Sequence, residues 1–297
     1  MIDFYLVFHF LFALIQFLIG VLANGIIVVV NGMVLIKQRK MIPLDLLLSC
    51  LAISRICLQS MIFYVNLVIL SLIDFSPLVK NSLIFMFVNE MGLWLATWLS
   101  VFYCAKIAPI AHPLFFWLKM RISKLVPWLI AGSLLFASIP LIQSKHTWAT
   151  SQKILLGLFF PNTTNAIKET SALQIVFFAR FSLPFVIFLI STLLLMFSLG
   201  RHTWQMRNTA TGTRDGSTGV HVSALLSILS FLVLYLSHYT TAAFLSSDIF
   251  KLRRLMFLFC ILVFGSYPSG HSIILILGNP KLKQHVKKFL HHGQCCQ

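Results

Sequence analysis

From residue 4 to residue 36 the chain contains no acidic residue, lysine or arginine. A helix rises ~1.5 Å per residue and the hydrocarbon core of a bilayer is ~30 Å thick, so about 20 apolar residues are enough to cross it. The first stretch exceeds that length. Six more follow: residues 46–73, interrupted by Arg55; 81–110, with Glu90 and Lys106; 125–144; 170–200, with Arg180; and segments within 216–247 and 255–280. Each is a continuous run rich in Leu, Ile, Phe and Val, without the alternation that a membrane β-strand needs. The reading is an all-α membrane protein crossing seven times. The run 154–160 is too short to cross and is read as loop.

Composition agrees. Hydrophobic residues make up 59% of the chain and charged residues 10%. Soluble proteins carry about 45–50% and about 25%. A soluble enzyme, a disordered chain and a disulfide-built miniature are therefore excluded. The net charge of +16, from 23 Lys and Arg against 7 Asp and Glu, would suggest nucleic acid in a soluble protein. In a chain this apolar it points to loops facing an anionic membrane surface. One set of loops carries thirteen basic residues, among them Lys37, Lys119, Arg121, Lys124, Arg201 and Lys281; the other carries seven. The richer side is expected to be cytoplasmic, which puts the N-terminus outside. The sequon Asn162-Thr163-Thr164 then falls outside, as a glycosylation site must. Domain organisation is expected to be one membrane domain, 1–279, and a cytoplasmic tail, 280–297.

Charged residues inside a span are costly unless they face the bundle or reach the interface. Lys106 lies near an inner helix end and can snorkel. Arg55 lies near mid-membrane and needs internal acceptors; Asn24 in helix one and Ser269, His271 or Ser272 in helix seven are the candidates. Glu90 and Arg180 lie near the outer ends of helices three and five, with Asn66 and Asn89 at similar depth. Two readings stay open: a polar belt lining an outward-facing cavity, or hydrogen bonds that hold the bundle together. Trp94 has a similar choice between cavity floor and packing on helix four. Phe85, Phe177, Tyr239 and Ile261 are candidate apolar walls. Cys50, Cys57, Cys104 and Cys260 fall within helices and read as small packing residues. Segment 279–290 is basic and amphipathic and precedes Cys295 and Cys296, a pattern that suits a surface helix with reversible palmitoylation. The His291, His292, Cys295, Cys296 group has the wrong spacing for a metal site. Neither an enzyme motif nor a cofactor motif is found.

Local words narrow the class. Helix one carries Asn24-Gly25-Ile26-Ile27, and helix two reads LLLSCLAISR, ending at Arg55. Helix three reads WLATWLSVFYCAKIA from Trp94, followed by HPLFFWLKMRI from His112. Helix five ends in SLGRHTWQM from Ser198, helix six carries SFLVLY from Ser230, and helix seven closes with HSIILILGNPKLK from His271. In this order the words resemble the type 2 (bitter) taste receptors over essentially the whole chain. Departures from rhodopsin-like receptors fit that family: helix three ends in Phe102-Tyr103-Cys104-Ala105-Lys106, and the place of NPxxY is taken by His271-Ser272-Ile273-Ile274-Leu275. Within the family, Asn89-Glu90-Met91-Gly92, Phe85 and Ile261 depart from the usual residues, so ligand preference is expected to differ.

The resemblance implies a seven-transmembrane G-protein-coupled receptor in the plasma membrane. A bitter small molecule is expected between the outer helix ends, at Asn66, Phe85, Asn89, Glu90, Trp94, Phe177, Arg180, Tyr239 and Ile261. A gustducin-type heterotrimeric G protein is expected at the inner face, near Lys106, Lys119, Arg121, Arg201 and His202; contact with anionic lipid is the other reading of that ring. Asn24, Arg55, His271 and Ser272 are expected to form an internal structural or switching hub rather than a ligand site. Membrane lipid and a second receptor copy are further partners considered. The rival class is a transporter or channel; no convincing internal repeat supports it.

Overall fold

The structure, a computed structural model, describes residues 4–39, 41–73, 82–108, 112–142, 171–209, 228–241, 254–279 and 281–286; the side chains of 82, 114, 140–142, 171–178, 202–203, 205–209 and 254–255 are outside that description. Every element described is helical: α1 (Phe4–Gln38), α2 (Pro43–Ile69), α3 (Ser82–Ile107), α4 (Pro113–Ile142), α5 (Ser171–Thr209), α6 (Ile228–Thr241), α7 (Arg254–Gly278) and a short α8 (281–286). Six of them are long and apolar enough to cross a membrane. The described part of α6 is shorter than the ~20 residues a span needs. The chain is a multi-pass helical membrane protein.

Cross-helix contacts fix the directions. His9 meets Asn66 while Asn31 meets Ser49, so α1 and α2 run antiparallel. Trp98 meets Ser133 and Lys106 meets Lys119, so α3 and α4 do too. Glu90 meets Arg180 and Ser100 meets Thr192, so α3 and α5 run parallel. Tyr239 bonds Ser182 and Phe231 packs on Phe188, which sets α6 against α5; His238 bonds the Phe264 carbonyl, which sets it against α7. Glu90, Arg180, Asn66, Tyr239 and Ile261 therefore share one end of the bundle. Lys106, Lys119, Arg201 and Lys281 share the other.

Helix α3 is the central element: most of its apolar length is buried, whereas most of α4 and of α1 is not. Its Leu95, Ala96 and Leu99 form the middle of a core with Leu47 and Leu51 of α2, Phe188 of α5, Tyr235 of α6 and Tyr267 of α7. The outer faces of α1 and α4 carry exposed side chains such as Phe12, Leu22, Trp128 and Leu135, as lipid contact requires. Small residues let α1 approach α7: a Cβ at Gly265 would stand 2.7 Å from Gln16 Oε1, and one at Gly20 3.3 Å from Ser269.

Two boundaries differ from the sequence reading. Helix α4 begins at Pro113, twelve residues before the expected 125, so Lys119, Arg121 and Lys124 are helical rather than loop. Pro113 has a preset helical φ and loses no bond at a first turn, and the amides of Phe115 and Phe116 close on the His112 carbonyl. Charges at the interface interrupt an apolar count without interrupting a helix. Helix α2 begins at Pro43, which brings Asp45 into its first turn.

Candidate functional site

Glu90 of α3 and Arg180 of α5, which the sequence sets at one depth, form an ion pair. Arg180 Nη2 stands 3.0 and 2.9 Å from the two Glu90 oxygens and 2.8 Å from the Phe136 carbonyl of α4. Its guanidinium carbon lies 4.6 Å from the centre of the Phe136 ring. The Glu90 side chain is 4% exposed and that of Arg180 18%. Pairing follows from depth: an ionised side chain inside a span is costly alone, so each takes the other. Below the pair, Thr97 Oγ1 has the Pro184 carbonyl within 3.0 Å and Ser100 Oγ lies between Ser191 and Thr192, so hydroxyls about one turn apart on α3 join it to α5.

Around this pair, Asn89 is buried and its Oδ1 has no hydrogen-bond partner among the described residues; nor has Trp94 Nε1. The Trp94 ring stacks on Trp98 and meets Phe136 of α4 edge-on at 5.6 Å, a packing contact that leaves its indole N–H without a partner among the described residues. Tyr239 is hydrogen-bonded at 2.8 Å to Ser182, two residues along α5 from Arg180, and stacks on Phe185 at 4.2 Å. Phe85 and Ile261 come together in one apolar cluster with Leu58, Val65 and Phe264. Asn66 does not join the charged pair. It accepts from His9 Nε2 at 2.8 Å and donates to the Ile62 carbonyl, so it ties α2 to α1. The Phe177 side chain is outside the described residues.

Arg55 is 1% exposed. Nη1 donates to Ser272 Oγ at 3.3 Å and Nη2 to the Tyr267 hydroxyl at 3.4 Å, with the guanidinium carbon 5.3 Å from the Tyr267 ring centre. Ser272 Oγ lies 2.7 Å from Asn24 Oδ1, so Arg55 reaches α1 through Ser272. His271 stacks instead on Tyr267 and leaves the guanidinium alone. Tyr267 is the partner that sequence reasoning missed.

A second ion pair, also missed, stands at the opposite end. Lys281 Nζ lies 2.6 Å from Asp45 Oδ2; Asn31 donates to Ser49 Oγ at 3.2 Å, and Ser49 donates to the Asp45 carbonyl at 2.7 Å. Asn279 Oδ1 caps α8 by accepting from the Lys281 amide, and Leu282 is fully buried behind it. The cluster fastens α8 to α1 and α2. The signal was an acid two residues after a proline, the pattern of a helix first turn. At the same end Lys106 Nζ donates to the Lys119 carbonyl at 3.3 Å, and Lys119, Arg121 and Arg201 are exposed. The His202 side chain, Asn162, Cys295 and Cys296 are outside the described residues.

A polytopic helical membrane protein with an ion pair at each end of its bundle is the class that the geometry defines. The family model for Taste receptor protein (TAS2R) matches residues 1–294. Taste receptor type 2 member 1 of Chlorocebus aethiops is 60% identical over the full length of both chains. Taste receptor type 2 member 119 of Rattus norvegicus is 51% identical over all of this chain and 88% of its own, and member 2 of Homo sapiens 33% over 97% of each. The chain belongs to the TAS2R family of taste receptors and is a receptor, not an enzyme.

Proposed function

We propose that this chain is a bitter receptor of the seven-transmembrane, G-protein-coupled type, with its N-terminus outside and its tail, 280–297, in the cytoplasm. An agonist enters at the Glu90 end of the bundle and shifts the helices toward an arrangement that a gustducin-type G protein binds at the Lys106 end. A ligand moves that equilibrium only by its differential affinity for the two arrangements. The observation carrying the site reading is the Glu90–Arg180 pair beside two buried polar atoms, an acceptor on Asn89 and a donor on Trp94, without partners among the described residues. Buried polar groups are nearly always satisfied. An amphipathic ligand that offers a donor to Asn89 satisfies one of them. Tyr239 and Phe85 supply apolar wall, and Asn66 acts as a tie to helix one at the rim. Lys106, Arg201 and His202 are assigned to the G-protein face; Cys295 and Cys296 are assigned as lipidation sites.

In cells expressing a promiscuous G protein, calcium responses to a panel of bitter compounds test the reading. Asn89→Ala and Glu90→Ala are expected to shift agonist potency more than tenfold, about 1.4 kcal/mol, when compared in cells matched for surface staining. Unchanged potency for several unrelated agonists makes the pair a purely structural tie. Orientation has its own check. An N-terminal epitope is expected to stain intact cells, and Asn162→Gln to abolish sensitivity to N-glycosidase. Staining only after permeabilisation reverses the topology.

A further inference from the structure

Four residues of α4 lie on one exposed stripe: Trp117, Arg121, Lys124 and Trp128, spaced four, three and four apart. At 3.6 residues per turn that spacing keeps them on one face. Trp117 is 51% and Trp128 76% exposed, and both bases are exposed as well. The Arg121 guanidinium carbon lies 5.6 Å from the centre of the Trp117 ring, so the cation is held along the helix surface by a tryptophan one turn away. Neither base has a carboxylate partner among the described residues: the only ion pairs there are Glu90 with Arg180, at the other end, and Asp45 with Lys281. The stripe continues at Leu135, 72% exposed, so bases and apolar contact surface follow one another along a helix whose outer face is bare.

We propose that this stripe is a binding site for one net-anionic phospholipid. The phosphate sits between Arg121 and Lys124, whose Cβ atoms stand one turn apart, about 5–6 Å. The acyl chains lie along Trp128 and Leu135, and Trp117 holds the guanidinium toward the headgroup. Charge selects the lipid: two cations without carboxylate partners among the described residues favour a headgroup with net negative charge over a zwitterionic one, whose own cation already balances its phosphate. The proposal rests on the reading that the Lys106 end faces the cytoplasmic leaflet, where such lipids concentrate, only for its setting in the cell; lipid affinity itself is tested without reference to sidedness.

The test is native mass spectrometry of the full chain released from micelles holding equal phosphatidylserine and phosphatidylcholine. The expected result is enrichment of phosphatidylserine adducts on the wild-type chain, reduced on the order of tenfold in Arg121→Gln/Lys124→Gln. Arg121→Lys/Lys124→Arg keeps the enrichment. So does Lys37→Gln/Lys283→Gln, which removes two bases from the same end but off the stripe. Equal loss in both glutamine doubles overturns the proposal in favour of diffuse attraction, and so does equal adduction of the two lipids by the wild-type chain. A reversed topology shows in the N-terminal epitope experiment and leaves these ratios unchanged.

Discussion

Arg180→Ala is expected to destabilise the solubilised receptor by roughly 3–5 kcal/mol, the cost of stranding one partner of a buried ion pair, and by more than Glu90→Ala does. The asymmetry comes from what each variant leaves behind. Without Arg180, the Glu90 carboxylate, 4% exposed, loses the one donor it has among the described residues. Without Glu90, Arg180 keeps the Phe136 carbonyl at 2.8 Å, the face of the Phe136 ring and its own 18% exposure. Glu90→Ala is therefore expected to cost roughly 1.5–3 kcal/mol, the worth of a charge-assisted hydrogen bond. Arg180→Ala/Glu90→Gln removes the stranded charge and is expected to recover most of the loss. Thermal unfolding in detergent and surface staining measure all three. The ranking is refuted if Arg180→Ala proves milder than Glu90→Ala, or if the double variant is as unstable as Arg180→Ala. The same ranking separates folding from binding, because the milder variant, Glu90→Ala, is the one whose agonist potency is informative.

What the sequence disclosed and what it hid follow the same physics. The long helices were legible because a bilayer demands long apolar runs. The Glu90–Arg180 pair was legible because two opposite charges at one depth have few other ways to be satisfied. Residues that an apolar count misreads were not legible. The first turns of α4, with Lys119, Arg121 and Lys124, read as loop because snorkelling bases interrupt hydropathy but not backbone hydrogen bonds. Tyr267 passed as one more aromatic in a hydrophobic stretch, although its hydroxyl and ring both serve Arg55. Depth alone could not say which way a side chain faces. Asn66 shares the depth of Glu90 but turns to His9, and Trp94 turns to Phe136. Rotation about a helix axis is set by packing, and the apolar surface of these helices is too uniform for a single sequence to reveal it.

Arg55 tests the opposite strategy for a buried charge, one with no carboxylate partner among the described residues. Its two terminal nitrogens divide between hydroxyls of Tyr267 and Ser272, five positions apart on α7, and Ser272 passes the connection to Asn24 of α1. Both contacts are longer than the usual 2.7–3.2 Å, so the low end of the range for charged hydrogen bonds applies, about 1.5 kcal/mol each and about 3 kcal/mol together. Arg55→Ala is expected to lose that much stability and to loosen α7 against α1 and α2, read as lower surface expression and a raised signal without agonist. Arg55→Lys is expected to fare no better than alanine. An ammonium keeps the cost of a buried charge, has one nitrogen where two are needed, and offers no plane to lie over the Tyr267 ring. Tyr267→Phe removes one acceptor, keeps the ring and is expected to cost about half as much. Near-normal stability and basal signal in the lysine variant would show that charge alone is what this position requires, and the planar, forked contact to helix seven would lose its standing as the tie between α1, α2 and α7.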